Sequence, residues 1–585
     1  MDNGAVRTMA ELLAGYIKAA GVRQVFCYPG ESVIEFMEAL REGGVQVVSA
    51  VREGTAAFMA EGAAMATGLP GVCLSTLGPG STAVLNGVAS ATLDRVPMLA
   101  ISGQIESSRE QFFTHQVVDH ARLFGLVTKA VLRLDPAALG SPRAPAAPPA
   151  PPSAANPAAR AADPVLGTPD AALHAADPAL RAADTVIRKA LRTATAERPG
   201  AVHLTVTADT WSVPVAYPGA APSYALPPLV PAMGSVDVYG RGDPLAALRT
   251  ARRPVILAGT GALRCDAGPA LIRLADRAGV PVVISPMAKG TFPEYHGYFA
   301  GVLDMAGHRV LWEFLQDADH ILAAGFDPVE LISPWTVTTP VLHVDTTPNT
   351  DQVYASEYEL VGNVAAILDW ITSQWPGEPR WTEAEVAAHR DRLRTAWLAG
   401  HVEGALNPSD VVTIARDAAP PDAILTTDVG SHKIMAGQAW HATEPRSVLM
   451  TNGLSAMGFG VPAAIAAKLG RPERPVISLV GDGGFAMTAT ELRIAADLGV
   501  PITVVVFADG SLNRIELRQQ LMGMAATGTK VGEMDLPALA ESMGCDGVRV
   551  ESRAALQKAL AGFEARTRPL VVEARVTPAQ YEAQF

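Results

Sequence analysis

The chain has 585 residues, which at about 150 per domain suggests roughly four domains. It is 49% apolar and 18% charged, a balance that can bury a large core and excludes general disorder. A net charge of −13 with no Lys/Arg run makes nucleic acid an unsuitable partner, and no apolar run approaches the about 20 residues that span a bilayer, so no membrane partner is expected.

The first block alternates helices and strands. Met9–Ala20 has helical apolar spacing, Gln24–Cys27 is a short strand broken by Tyr28-Pro29-Gly30, Ile34–Leu40 is helical and Val45–Val51 a strand. A small-residue helix, Ala56–Ala66, and a buried strand, Gly71–Ser75, follow. This βαβα alternation predicts a parallel sheet covered on both faces. The segment from Pro136 to Pro178 holds eleven of the 45 prolines among many alanines, so it is expected to be a surface insert without a packed core. The block resumes with a helix at Asp184–Thr195 and a strand at Ala201–Thr207.

A Pro-rich linker, Val213–Pro231, leads to a second α/β block with strands at Pro254–Gly259, Val280–Ser285, His320–Gly325 and Val341–Asp345 and a helix at Ala267–Ala278. A polar helix, Glu383–Ala399, bridges to a third block with strands near Ile424–Thr427, Val476–Val480, Ile502–Phe507 and Leu570–Ala574. The expected fold class is therefore α/β, with three doubly wound parallel-sheet domains at about 1–212, 235–375 and 400–585. Cys27, Cys73, Cys265 and Cys545 are too scattered for a metal cluster or a disulfide framework. No basic segment followed by an apolar one is seen near Met1, so a secretory leader is not expected and a cytoplasmic location is.

Chemistry concentrates in the third block. The strand Val476–Val480 runs into Gly481-Asp482-Gly483-Gly484, a helix is expected over Thr490–Asp497, and the strand Ile502–Phe507 ends at Ala508-Asp509-Gly510-Ser511. Both polar clusters thus lie at carboxyl ends of parallel strands, where α/β sheets bind ligands. Asp482 and Asp509 are 27 positions apart, the length of one crossover. Glycines let backbone N–H groups approach an anion, and a helix N-terminus favours phosphate. Two carboxylates beside a diphosphate would repel it unless a hard cation such as Mg²⁺ or Ca²⁺ sits between them. Taken alone, Gly-Asp-Gly is equally a tight turn with an exposed Asp.

The pair Gly481-Asp482-Gly483 and Ala508-Asp509 resembles the thiamine diphosphate signature of Gly-Asp-Gly followed by Asn-Asn. Asp428-Val-Gly-Ser-His432, Leu454-Ser-Ala-Met-Gly-Phe-Gly-Val-Pro462, Arg52-Glu53 with Ala60-Glu-Gly62, and Thr76-Leu-Gly-Pro-Gly80 resemble the acetolactate synthase group of that family. These motifs come from the first and third blocks in the family's order.

The resemblance implies a pyrimidine-binding domain, a middle domain and a diphosphate-binding domain, with the site shared between subunits of a homodimer or homotetramer. It implies that Glu53 hydrogen-bonds N1′ of the aminopyrimidine, and that Asp482 and Asp509 by their side chains and Ser511 by its carbonyl oxygen hold Mg²⁺. Asp509 stands where the family usually has Asn. Val429, Gly430, Ser431, His432, Gly481, Gly483 and Gly484 match positions around the diphosphate. Ser455 and Met457 match those at the pyrimidine edge. His115 and Gln116 align with a pair facing the thiazolium, and Pro29 and Gly30 with the loop at the substrate entrance.

The implied reaction joins a decarboxylated 2-oxoacid to a second carbonyl compound, with pyruvate giving 2-acetolactate as the leading case. Flavin, bound by many acetolactate synthases, is not expected. The middle block has Ala258-Gly-Thr-Gly261 and Gly325-Phe-Asp-Pro-Val-Glu330, which lack the family's arginines, and Pro328 removes a backbone donor. Pro286-Met-Ala-Lys-Gly290, Thr114-His115-Gln116 and Ile515-Glu516-Leu517 are also similar to stretches in acyl-CoA lyases or carboxyethylarginine synthase, so another donor is an alternative. A catalytically silent relative would not need Glu53 and both acidic groups. A nucleotide-dependent dehydrogenase would need an early Gly-x-Gly-x-x-Gly that is absent. Whether a regulatory subunit exists is left open by the residues.

Overall fold

Residues 6–139, 178–216 and 236–584 are described by the computed structural model. The buried strands Gly71–Ser75, Met98–Gln104 and Ala201–Thr207 form the centre of a six-stranded parallel sheet. Its order is Gln46–Ser49, Gln24–Cys27, Gly71–Ser75, Met98–Gln104, Ala201–Thr207, Ala130–Leu134. Continuous burial along these strands follows from helices packing on both faces, as the alternation predicts. Their carboxyl ends lie along one edge, where Pro29, Gly30 and Thr76–Gly80 emerge.

The C-terminal sheet is also six-stranded and parallel: Val448–Leu449, Ile424–Thr427, Val476–Gly481, Thr503–Ala508, Leu570–Arg575, Asp546–Val550. The middle sheet runs Phe299–Val302, Val282–Ile284, Pro254–Ala258, His320–Ala324, Val341–Asp345, Ser356–Gly362, Val236–Tyr239. Its last strand is antiparallel and forms an exposed edge that no motif announced. The expected three parallel-sheet units are therefore present, with this one antiparallel addition.

Two expectations change. Pro214–Ala216, read as linker, pairs antiparallel with Val6–Thr8; the rest of that linker to Pro231, and most of the Pro/Ala insert, lie outside the described residues. Helical structure after the third block's Gly-Asp-Gly starts at Asp482 itself. The helix Asp482–Thr488 is followed by a tight turn, Ala489–Glu491, and a second helix, Leu492–Asp497. Gly484 also permits close packing, since a Cβ on it would lie 2.4 Å from Asp428 Oδ2.

The N- and C-terminal units join through two small-residue helices, Glu53–Thr67 and Gly460–Gly470. A Cβ on Gly62 would lie 2.6 Å from Ala463 Cα, so only glycine permits this packing. Beside the joint, fully buried Glu491 accepts the Val51 N–H at 3.1 Å and the Thr55 hydroxyl. The middle unit meets the C-terminal one at a buried ion pair, Lys289 Nζ to Glu294 at 2.7 Å, and Glu294 also accepts the Ala442 N–H at 3.2 Å. Among the described residues no helix is long and apolar enough to cross a membrane.

Candidate active site

At the carboxyl ends of Ile424–Thr427, Val476–Gly481 and Thr503–Ala508 lies a cavity of about 140 Å³. Val429, Gly430, Ser431, His432, Met457, Gly481, Asp482, Gly483, Gly484, Asp509 and Ser511 all line it. Of the C-terminal residues singled out by sequence, Ser455 is the one that does not. Phe507, Leu512, Asn513, Arg514, Ile515 and Tyr581 complete the lining and were not foreseen.

Two helices start at this cavity, Ser431–Ala439 after Gly430 and Asp482–Thr488 after Gly481, and neither N-cap glycine supplies a capping side chain. Asp482 Oδ1 accepts the Gly483 N–H at 2.8 Å and Oδ2 accepts the Gly510 N–H at 2.7 Å, which pins the end of one strand to the next. Asp509 Oδ1 accepts the Ser511 N–H at 3.0 Å, and the Ser511 hydroxyl donates to Glu516, itself paired with Lys530.

Burial pushes the Asp482 carboxyl above its usual range. Burial, then the charge of Asp482, pushes Asp509 up to about 7. Among the described residues no third acidic, His or Cys side chain joins them in a metal cluster. Two hard oxygen donors at paired helix N-termini form a set that can hold a diphosphate with a hard cation. His432 is buried, its pKa depressed to about 3 by desolvation, and its Nε2 has no partner among the described residues. A neutral imidazole with a free nitrogen at the cavity wall can meet a polar ligand.

Asp428, quoted in a motif but given no role, braces the site. Its carboxylate accepts the Val429 N–H at 2.7 Å and the Gly458 N–H at 2.9 Å, and it packs against Gly484. A carboxylate directly after a buried strand, two residues before Gly430, was the signal available for it, close to the one that identified Asp482.

A second cluster forms at the carboxyl edge of the N-terminal sheet. A Cβ on Gly30 would meet Thr76 Cβ at 2.3 Å, one on Gly78 would meet the Gln116 carbonyl at 2.6 Å, and one on Gly80 would approach Glu53 Oε1 at 3.2 Å. Glu53 opens its helix and is half-buried, while Pro29, His115 and Gln116 are exposed. The loops of Gly30, Gln116 and Glu53 thus all pack against the segment Thr76–Gly80. None of these residues lines the cavity of the same chain.

The middle sheet presents no phosphate cradle. The Thr260 N–H, at the start of the helix Thr260–Arg264, donates to Glu330 Oε1 at 3.0 Å, and the Ser285 hydroxyl donates to Glu330 Oε2. Glu330 is fully buried, and burial pushes it up to about 7. This carboxyl group already takes the N–H that opens the helix, so the residues here do not favour a dinucleotide phosphate at that point.

Comparison with known proteins agrees with this geometry. Residues 7–123 match the model "Thiamine pyrophosphate enzyme, N-terminal TPP binding domain", 243–371 the central domain and 428–574 the C-terminal TPP binding domain. The catabolic acetolactate synthase of Raoultella terrigena is 27% identical over 94% of this chain and 92% of its own length. The acetolactate synthase large subunit of Parasynechococcus marenigrum is 28% identical over 98% and 89%. A Pseudomonas aeruginosa protein named "Probable 2-ketoarginine decarboxylase AruI" is 31% identical over 92% and 88%. Three matched domains in order, with relatives aligned along nearly the whole chain, show that it belongs to the thiamine pyrophosphate enzyme family as an acetolactate synthase-like member.

Proposed function

We propose that the protein decarboxylates a 2-oxoacid and transfers the remaining acyl unit to a second carbonyl compound, with two pyruvates giving 2-acetolactate and CO₂. The observation that carries this reading is the convergence of Asp482, Asp509 and two uncapped helix N-termini on one cavity beneath Met457. Similarity to acetolactate synthases along the whole chain supports the choice of substrate.

Asp482, Asp509 and the Ser511 carbonyl would hold Mg²⁺, whose charge offsets the two carboxylates that burial disfavours. The N–H groups at Ser431, His432 and Gly484 would bind the diphosphate, and Met457 would pack against the cofactor. Thiamine diphosphate, when bound, supplies at C2 a carbon nucleophile that attacks the 2-oxo carbon and holds the electron pair left by CO₂. Glu53 would hold and move the proton at N1′, and His115 and Gln116 would face the reacting carbons.

Glu53 and the Asp482 cavity lie in separate clusters of one chain, which supports a site completed between two chains in a homodimer or homotetramer. We place this enzyme in the cytoplasm. The 31% identity to the 2-ketoarginine decarboxylase supports a second reading, a cationic 2-oxoacid as donor. Purified protein given thiamine diphosphate, Mg²⁺ and either pyruvate or 2-ketoarginine decides between them through CO₂ release and product mass. Acetolactate from pyruvate is expected. CO₂ from 2-ketoarginine alone would establish the second reading, and no turnover of either would overturn both.

A further inference from the structure

The segment Thr451–Gly458 carries Ser455 and Met457, and all three units of the chain hold it. From the N-terminal unit, Asp94 Oδ1 accepts the N–H of Asn452 at 2.9 Å and of Gly453 at 2.5 Å. From the C-terminal unit, Lys433 Nζ donates to the Thr451 carbonyl at 2.6 Å and to Asn452 Oδ1 at 2.9 Å. From the middle unit, the Glu330 carbonyl accepts Asn452 Nδ2 at 2.5 Å. Asp428 holds the far end through the Gly458 N–H.

Asn452 is where these ties cross. Its side chain is buried, with its oxygen accepting from one unit and its nitrogen donating to another. Its own carbonyl accepts the Ser455 hydroxyl at 2.9 Å. Ser455 sits at φ 53, a left-handed conformation that a residue with a Cβ keeps only when its surroundings over-determine it. A Cβ on Gly453 would come within 2.5 Å of the Leu93 carbonyl, so the loop also lies against the N-terminal unit's backbone. Asp94 is backed by Ser90, whose hydroxyl lies 3.3 Å from Asp94 Oδ2 and 3.1 Å from Glu61 Oε1.

A tie meant only to glue domains could grip any loop. This one grips the loop whose next few residues reach the cavity, and the ties arrive from three directions. We propose that Asn452 is a positioning residue that fixes Ser455 and Met457 at the edge of the thiamine diphosphate site and so couples the middle unit to cofactor activation. It acts through Ser455 and Met457 without touching the cofactor. This rests on the thiamine diphosphate reading of the cavity.

The test is deuterium exchange at C2 of thiamine diphosphate bound to intact protein with Mg²⁺, quenched in acid and read by proton NMR at saturating cofactor. A misplacement near 1 Å can cost about 100-fold in rate. Asn452→Ala should therefore slow exchange about 10- to 100-fold, and kcat with it, while KM for the 2-oxoacid stays within about threefold. Asn452→Asp keeps the size and an acceptor for Lys433 but sets a carboxylate oxygen in place of the donor to the Glu330 carbonyl; it should slow exchange too and serves where the alanine variant does not fold. Asp94→Asn, which retains an acceptor for both N–H groups, should keep most of the wild-type rate. Wild-type exchange in either Asn452 variant would overturn this inference alone. Failure of wild-type protein to bind thiamine diphosphate would overturn the functional reading, and the inference with it.

Discussion

Asp482 and Asp509 end neighbouring parallel strands, and Asp482 reaches across to the N–H of Gly510, the residue after Asp509, at 2.7 Å. The two carboxyl groups are thereby held together in a buried place where each opposes ionisation of the other, unless a cation lies between them. Thiamine diphosphate should consequently bind only with a divalent cation. Calorimetry with Mg²⁺ and with a chelator checks this, and equal affinity in both would remove the metal bridge. Asp482→Ala should abolish binding, while Asp509→Asn should bind as well as wild type because an amide oxygen remains.

Glu53 opens a helix next to Gly80 and is half-buried rather than enclosed. Glu53→Gln preserves shape and hydrogen bonding but cannot exchange the proton at N1′ in the same way. Cofactor affinity should stay within a few-fold, while C2 exchange and turnover fall by about 10² to 10⁴, the usual scale of acid–base assistance. Exchange at the wild-type rate would show that another group activates the cofactor.

Because neither cluster alone contains both Glu53 and the Asp482 cavity, activity should require two chains. Mixing Glu53→Gln protein with Asp482→Ala protein should restore activity, since one of the two sites in a mixed dimer keeps both wild-type halves. Both parents should be inactive or nearly so when measured separately. Verified subunit exchange without any recovery would mean that the site is built within one chain.

The N-terminal sheet buries two histidines away from the site. His203 stacks on Phe124 with ring centroids 3.6 Å apart and its Nε2 lies 2.9 Å from the Ser102 hydroxyl, while His120 Nδ1 lies 3.1 Å from the Thr205 hydroxyl. Burial, with help from Arg133, lowers His120 from 6.5 to about 4, and burial holds His203 well below the usual imidazole range. Below about pH 6.5 the unfolded chain takes up protons that the fold refuses, so this contribution to stability is complete above pH 6.5 and is lost between there and about pH 4. Asp509 and Glu330, held at about 7 in the fold, act in the opposite sense over this window, so the histidine contribution is read as a difference between proteins. The urea midpoint of wild type minus that of His120→Gln should decrease from pH 7.5 to 5, and a difference that does not change with pH would exclude His120 as a source.

Much of the site was legible locally. Val476–Val480 is a short apolar run that glycine ends, Asp482 follows at once, and Asp509 stands one crossover later, so each fact depends only on residues near it in the chain. The loops of Gly30, Gln116 and Glu53 came from motif resemblance, and each packs against Thr76–Gly80. The Asn452 ties had no such signal. Asp94 is 358 positions from Asn452 and Glu330 is 122, and neither residue's type reveals which remote backbone group it will meet.

Sequence by itself determined the three α/β units and the acidic groups at the C-terminal strand ends, because strand runs, glycines and crossover length are short-range patterns. Tertiary structure decided that the helix begins at Asp482, that Glu330 closes the middle sheet's cradle, and that Asp94, Lys433 and Glu330 converge on Asn452. These depend on how three sheets pack, and a hydrogen bond near 3 Å forms only after that packing has brought distant segments together.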